Sequence, residues 1–114
     1  MKAIVNKPWG SYRIIDEGKN YLVKKITVNP QSKLSLQSHK HRSEHWIVVK
    51  GVADVTINDN THKLESNQSI YIPLQAKHCL ANNHDESLII VEVWYGEILD
   101  EEDITRYEDI YDRI

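Results

Sequence analysis

The sequence has little of several residue types on which whole classes of protein depend. Its 114 residues include one cysteine, Cys79, one methionine and no phenylalanine, so no disulfide can form within the chain. No apolar run approaches the ~20 residues that a membrane-spanning helix needs. The first ten residues, MKAIVNKPWG, lack the apolar core of a secretory signal peptide. These absences exclude a disulfide scaffold and a helical membrane protein, and they favour a cytoplasmic location.

Positive charge is also too sparse for a protein that binds nucleic acid. The chain has 14 Lys and Arg against 17 Asp and Glu, a net charge of −3. The acids concentrate in residues 97–114, which leaves residues 1–96 mildly basic. Domains that bind duplex nucleic acid are usually far more basic. We therefore expect no nucleic-acid partner, whereas the basic body suits a small anionic ligand.

Short runs rich in Val, Ile, Thr and Tyr dominate the chain and predict antiparallel β-structure. The candidate strands are Ser11–Ile15, Tyr21–Asn29, Leu34–His41, Glu44–Lys50, Val52–Ile57, Thr61–Leu64, Ser69–Ile72, His78–Ala81 and Leu88–Tyr95. The turn Asn58-Asp59-Asn60 predicts a hairpin between two of them. Such strands in a single domain, residues 1–114, favour an all-β closed barrel or jelly roll. Only the stretch from Asp100 to Tyr107, with acids in its first turn, suggests a short C-terminal helix.

Histidines and one acid have the spacing of a metal site. His39 and His41 alternate on a predicted strand, which places both rings on one side about 7 Å apart at the backbone. Glu44 and His45 follow, and His78 begins a later strand after a proline-containing turn. Nitrogen and oxygen donors without a thiolate suit Zn²⁺, Mn²⁺, Fe²⁺, Ni²⁺ or Co²⁺ and argue against a structural zinc site.

Two other polar residues share faces with functional or buried positions. Lys24 lies on the same strand face as Leu22, Ile26 and Val28, which is predicted to face the interior. Its side chain therefore either reaches solvent at the mouth of the barrel or acts inside the cavity. As a cavity residue it would bind an anion or transfer protons. Gln37 shares the face of His39 and could orient a ligand.

These spacings resemble the two sequence motifs of the cupin superfamily. The first motif is matched by His39-x-His41, Glu44 and Gly51, and the second by Asn67, Pro73, Gln75, His78 and Asn82. Asn67 and Gln75 stand where the second motif has glycines, which predicts a reshaped turn with the ligand spacing kept. The resemblance implies a cupin double-stranded β-helix with His39, His41, Glu44 and His78 as metal ligands, and with His45 as the alternative to Glu44.

A closer resemblance, to type II mannose-6-phosphate isomerase, covers nearly the whole chain. It rests on the segments KPWGSYRIIDEG, VKKITVNPQSKLSLQSHKHRSEHWIVVKGVADVTI, SIYIPLQAKHCLAN and GEILDEEDITRYEDIYDR. In many bacteria this module is the C-terminal part of a bifunctional enzyme that also makes GDP-mannose. This chain has no glycine-rich phosphate loop, so we expect either a stand-alone isomerase or a detached cupin domain.

The resemblance implies roles for the remaining candidates. Arg42 is a catalytic or phosphate-binding residue, because its planar guanidinium matches a phosphate. Lys24 is the second phosphate or acid–base candidate, and His45 is a candidate base. Gln37 would bind substrate. We expect a divalent metal cofactor, with Zn²⁺ favoured, a small sugar phosphate as ligand, and a homodimer.

Two other functions fit the same motifs. One is a non-catalytic cupin that binds a sugar with or without metal. The other is another cupin enzyme, such as an Fe²⁺-dependent dioxygenase. Lys24 and Arg42 favour an anionic substrate and hence the isomerase.

Overall fold

The structure is a computed structural model that describes residues 2–113, and these residues form twelve β-strands. The strands are β1 (Val5–Lys7), β2 (Gly10–Gly18), β3 (Tyr21–Val28), β4 (Ser32–Lys33), β5 (Leu36–Ser38), β6 (Ser43–Lys50), β7 (Ala53–Ile57), β8 (Asn60–Leu64), β9 (Ser69–Ile72), β10 (His78–Asn82), β11 (Leu88–Tyr95) and β12 (Thr105–Glu108). The all-β prediction is confirmed. No helix in residues 2–113 has the length and apolar character to cross a bilayer.

Two six-stranded antiparallel sheets enclose the interior. One has the order β1-β2-β3-β11-β6-β9, and the other has the order β12-β5-β10-β7-β8 with β4 paired to β10. Burial alternates strictly along β3 and along β11 up to Trp94, as expected for strands with one face on a core. The Asn58-Asp59 turn joins β7 to β8, so the predicted hairpin is confirmed.

The interior face of the first sheet changes from apolar to polar along its strands. Val28 pairs with Leu88, and Ile26 pairs with Ile90, in the apolar part of the core. Two residues further along, Lys24 pairs with Glu92, and both are buried. Buried charged groups need partners to offset their lost hydration, so this polar end is where a site is expected.

The predicted helix from Asp100 to Tyr107 is wrong. This segment forms a turn and then β12, in which Thr105 pairs with Ser38 and Arg106 with Gln37. The acids that suggested a helix start instead form the turn, where Asp100 Oδ1 accepts a 2.9 Å hydrogen bond from the Glu102 amide. The free edge of β5 then supplies backbone partners for a short extended segment, and this long-range pairing outweighs local helix propensity.

The turns before β9 and β10 each keep one residue in a left-handed conformation without glycine, so the predicted reshaping is not seen at these positions. Asn67 has φ 71° and Gln75 has φ 65°. Asparagine tolerates this region, whereas glutamine is strained there. The Gln75 amide donates a 3.0 Å hydrogen bond to the carbonyl of His39. The turn is therefore held in the glycine-like shape by its contact with the segment that carries His39.

Candidate functional site

Three buried side chains from both sheets converge at the polar end of the interior. His39 follows β5, Glu44 lies near the start of β6, and His78 begins β10. One ligand atom from each lies within 4.8 Å of the others. Among these atoms, His39 Nε2 and Glu44 Oε2 are 3.3 Å apart. These three residues are a candidate metal centre.

Backbone carbonyls orient the two histidine rings. His39 Nδ1 lies 2.7 Å from the Asp103 carbonyl, and His78 Nδ1 lies 3.0 Å from the Ala76 carbonyl. A carbonyl only accepts, so each Nδ1 carries the proton and donates it, and each Nε2 keeps its lone pair. Histidines that bind metals are usually held in this way.

The protonation states of the cluster also fit a divalent ion. Burial lowers the pKa of His39 to about 4 and lowers the pKa of His78, so both rings are neutral near pH 7. Burial opposes ionisation of Glu44, but the Arg42 guanidinium and the two histidines hold its pKa at about 2. Metal ions bind neutral imidazole and ionised carboxylate. This mixed donor set suits a first-row divalent ion, and the site therefore fits the expected cofactor.

Arg42 contacts the same atoms that would bind the ion. Its Nε donates a 2.8 Å hydrogen bond to Glu44 Oε2, and its Nη2 lies 3.2 Å from His39 Nε2. Its guanidinium also lies 3.4 Å from the ring centroid of Trp94 and donates through Nη1 to the Asp100 carbonyl at 3.2 Å. A buried cation already compensates the Glu44 charge, so a metal ion would take over contacts that Arg42 makes here.

Lys24 is buried in the same cavity and paired with the C-terminal segment. Its Nζ lies 2.8 Å from Glu101 Oε1 and 2.6 Å from Oε2. The rings of Tyr12 and Trp94 have centroids 3.8 Å and 4.0 Å from Nζ. Burial lowers the pKa of Lys24, while the Glu101 carboxylate partly offsets this effect. Of the two alternatives open from the sequence, the structure favours a cavity lysine over one that reaches solvent.

Glu92 is a cavity residue that the motif analysis missed. Its carboxyl oxygen accepts a 3.1 Å hydrogen bond from Trp94 Nε1, and its backbone pairs with Lys24 on one side and Trp46 on the other. Burial, with a further contribution from the Glu44 charge, raises its pKa well above the ordinary value. The sequence did contain a signal for this residue. Glu92 is the single acid in the apolar strand LIIVEVWY, at a position that faces inward, and a buried acid is unusual.

The structure does not bring His41 or His45 to the cluster. Strand β5 ends at Ser38, so the alternation expected of His39 and His41 does not apply, and His41 is exposed. His45 lies on the outward face of β6 and packs against Tyr71, with ring centroids 4.6 Å apart. Gln37 does line the cavity, half-buried, and its Nε2 donates to the Ser35 carbonyl at 3.3 Å.

The cavity that holds these groups has a volume of about 130 Å³. All three tryptophans of the chain, Trp9, Trp46 and Trp94, line it together with His39, Glu44 and His78. Trp46 Nε1 donates a 2.8 Å hydrogen bond to Glu44 Oε1, which fixes the second carboxylate oxygen. The site thus combines aromatic walls with a small number of oriented polar groups, the usual construction of a pocket for a small molecule.

Comparison with known proteins identifies the family. The sequence model described as "Mannose-6-phosphate isomerase C-terminal" matches residues 1–109. The chain belongs to the mannose-6-phosphate isomerase C-terminal family. This confirms the resemblance predicted from the motifs.

Curated members of this family are much longer than this chain. Mannose-1-phosphate guanylyltransferase ManC of Salmonella typhimurium is 52% identical over 114 residues, which cover 100% of this chain and 24% of that protein. Alginate biosynthesis protein AlgA of Pseudomonas aeruginosa is 53% identical over 109 residues, with 96% of this chain and 23% of that protein covered. The chain thus spans about a quarter of the length of these relatives, which are enzymes or proteins of polysaccharide biosynthesis.

Solved structures confirm the cupin fold. The cupin domain of Schizosaccharomyces pombe Cnp3 matches with a TM-score of 0.73 at 11% identity, covering 75% of this chain and 64% of that one. At this identity the likeness concerns the fold alone. The two-sheet barrel of this family member is therefore a cupin double-stranded β-helix, without the predicted C-terminal helix.

Proposed function

We propose that this chain is a metal-dependent isomerase that interconverts mannose 6-phosphate and fructose 6-phosphate. The observation that carries the proposal is that a buried cluster of two histidines and one carboxylate shares a cavity with Lys24 and Arg42. The name of the matching family adds support. Nucleotide transfer, which names one of the longer relatives, is not proposed for this chain, because it spans only 24% of that protein.

The metal would be held by His39, Glu44 and His78. Zn²⁺ is favoured, with Mn²⁺, Co²⁺, Ni²⁺ or Fe²⁺ as alternatives for the same donor types. When bound, the ion supplies Lewis-acid polarisation of the sugar carbonyl and stabilises negative charge on its oxygen. Arg42 would release His39 Nε2 and Glu44 Oε2, and its guanidinium would then be available to the sugar.

Lys24 is proposed as the acid–base residue. Isomerisation moves one proton from C2 to C1 through a cis-enediol, while a second proton passes from the C2 hydroxyl to the C1 oxygen. Burial lowers the pKa of Lys24, and in its free-amine form the side chain would take the proton from C2 and return it to C1. Gln37, which lines the cavity, is proposed to orient the sugar hydroxyls.

The direct test is turnover by the metal-loaded chain. Protein dialysed free of metal is reloaded with Zn²⁺, Mn²⁺ or Co²⁺, incubated with mannose 6-phosphate, and the formation of fructose 6-phosphate is followed. We expect turnover with at least one ion and a loss of about 100-fold or more in His39→Ala, because the variant lacks a ligand. Absence of turnover with all three ions would contradict the isomerase.

A non-catalytic sugar-binding cupin is the second candidate, and one observation favours it. Arg42 already contacts two atoms that a metal ion would use, His39 Nε2 and Glu44 Oε2, and its charge balances that of Glu44. A domain that bound its sugar without metal would keep this arrangement. Binding of mannose 6-phosphate to metal-free protein, with no turnover after metal is added, would support this candidate over the isomerase.

The proposal also includes a homodimer and a cytoplasmic location. A phosphorylated sugar is charged and does not enter a bilayer core readily, so enzyme and substrate must share one compartment. Sedimentation velocity tests the assembly, since a dimer has twice the 13.3 kDa mass of the chain. Cell fractionation with an antibody to the chain tests the location.

A further inference from the structure

Strand β12 adds a second arginine, Arg106, to the wall of the cavity. Arg106 pairs with Gln37 of β5, and Gln37 pairs with His78 of β10. Residues that pair directly across antiparallel strands point to the same face of a sheet. Arg106, Gln37 and His78 accordingly all line the cavity.

Three other cations that line the cavity and are not exposed already have carboxylate partners. Arg42 is bonded to Glu44, Lys24 to Glu101, and Arg113 donates to both oxygens of Asp109 at 2.7 Å and 3.0 Å. Arg106 differs, because its Nε is buried and has no hydrogen-bond partner within residues 2–113. A buried N–H without a partner is costly, and a ligand that accepts its hydrogen bond removes that cost.

The position of Arg106 suits the far end of a sugar phosphate. A hexose 6-phosphate separates its carbonyl end from its phosphate by the full carbon chain, so its phosphate cannot lie beside the metal ligands. Arg42 is within hydrogen-bond distance of two of those ligands. Arg106 is two strands away from His78, which is roughly 10 Å between their backbones. The distance and the free donor both favour Arg106 over Arg42 as the phosphate-binding residue.

We propose that Arg106 binds the phosphate group of the substrate, while the opposite end of the sugar lies at the cluster of His39, Glu44 and His78. This inference rests on the proposed sugar-phosphate function and deepens it. The planar guanidinium presents two parallel N–H groups to phosphate oxygens, a geometry that lysine cannot reproduce. Lys7, which is exposed and lines the same cavity, adds positive potential to the approach of the anion.

The test measures binding separately from turnover. The three tryptophans in the cavity wall make intrinsic fluorescence a reporter of occupancy. Mannose 6-phosphate is titrated into the Zn²⁺-loaded chain and into Arg106→Gln, Arg106→Lys and Arg13→Gln. Arg13 is the matched control, because it also has a buried Nε without a partner but does not line the cavity. Thermal unfolding establishes that each variant is folded.

We expect Arg106→Gln to weaken binding about 10- to 100-fold, the usual cost of losing a charge-assisted contact. Arg106→Lys should give an intermediate loss, since it keeps the charge without the planar fork, and it replaces Arg106→Gln if the latter does not fold. Arg13→Gln should bind within twofold of the unmodified chain. Unchanged binding by Arg106→Gln, or an equal loss in Arg13→Gln, would overturn the assignment.

The outcomes separate this inference from the proposed function. Binding that depends on Arg106, without formation of fructose 6-phosphate, would support the phosphate site and contradict the isomerase. Turnover with an unchanged KM in Arg106→Gln would support the isomerase and overturn the phosphate site. Failure of the unmodified chain to bind mannose 6-phosphate would overturn both.

Discussion

Arg42 donates a 2.8 Å hydrogen bond to Glu44 Oε2, the oxygen that also lies 3.3 Å from His39 Nε2. The guanidinium therefore stands beside the donor atoms of the candidate metal centre and compensates a fully buried carboxylate. Without such a partner, the Glu44 charge would be strongly destabilising in the interior. A metal ion held by His39, Glu44 and His78 would have an electrostatic role that overlaps with that of Arg42, so competition between the two would be measurable.

Removal of a metal ligand and removal of Arg42 should have opposite effects on metal affinity. We expect His78→Ala to weaken Zn²⁺ binding by at least tenfold, because one of three donors is lost. Arg42→Gln should bind Zn²⁺ at least as tightly as the unmodified chain, because a nearby positive charge is removed. Titration against a competing chelator measures both. The exposed His62 supplies the control His62→Ala, and unchanged affinity in His78→Ala would contradict the ligand assignment.

Glu101 should set the pH dependence of the reaction through Lys24. Its carboxylate raises the pKa of Lys24, so Glu101→Gln should lower that pKa further. If the free amine is the base, more of it is then present at a given pH, and the acidic limb of the kcat/KM profile moves to lower pH. Glu102→Gln, a neighbouring exposed position, should leave the limb in place. A limb that stays fixed or moves to higher pH in Glu101→Gln would exclude Lys24 as the base.

Strain at Gln75 should be relieved by glycine. Gln75 has φ 65°, a conformation that destabilises the folded state by ~1–2 kcal/mol for a residue with a side chain. Glycine avoids this strain, but its larger loss of conformational entropy on folding offsets part of the gain. We expect Gln75→Gly to raise the free energy of unfolding by about 0.5–1 kcal/mol. Asn67→Gly, at φ 71°, should have a smaller effect because asparagine tolerates the region. Urea denaturation compares the two, and a destabilised Gln75→Gly would contradict the strain argument.

Glu92 should destabilise the fold as the pH rises. Its pKa is raised in the folded state, so above the ordinary carboxyl pKa of ~4.3 the unfolded chain releases this proton more readily than the folded one. Glu92→Gln has no such proton, and its stability relative to the unmodified chain should increase from about pH 4.3 upward. Urea denaturation at pH 5 and pH 8 measures the change, with the exposed Glu97→Gln as control. A relative stability that is equal at both pH values would contradict a protonated Glu92.

Local alternation was sufficient to predict most of the strands. In β11, for example, successive side chains alternate between the two faces of the strand. The residues that face the core can therefore be identified from their positions in the sequence. Glu92 lies on the same inward face of β11, although it belongs to neither sequence motif. The spacing from His39 to Glu44 and His78 also predicted three residues that the structure brings together.

Features that depend on distant pairing were not predictable in this way. The end of β5 at Ser38 directs His41 outward, and the position of that strand end is not visible in the local sequence. The conversion of the expected helix into β12 depends on the open edge of β5, which lies far away in the chain. Arg106 was missed for the same reason, since its role requires β12 to be a strand beside Gln37.

The hydrogen bond from His39 to the Asp103 carbonyl joins residues 64 positions apart in the chain. During synthesis, at about 5–20 residues per second, His39 therefore leaves the ribosome seconds before the carbonyl that holds its ring exists. Until then, the His39 ring lacks this partner, and Lys24 lacks Glu101. Residues 100–103 are translated after the strands that carry these side chains, so His39 and Lys24 acquire their partners only in the last stage of synthesis.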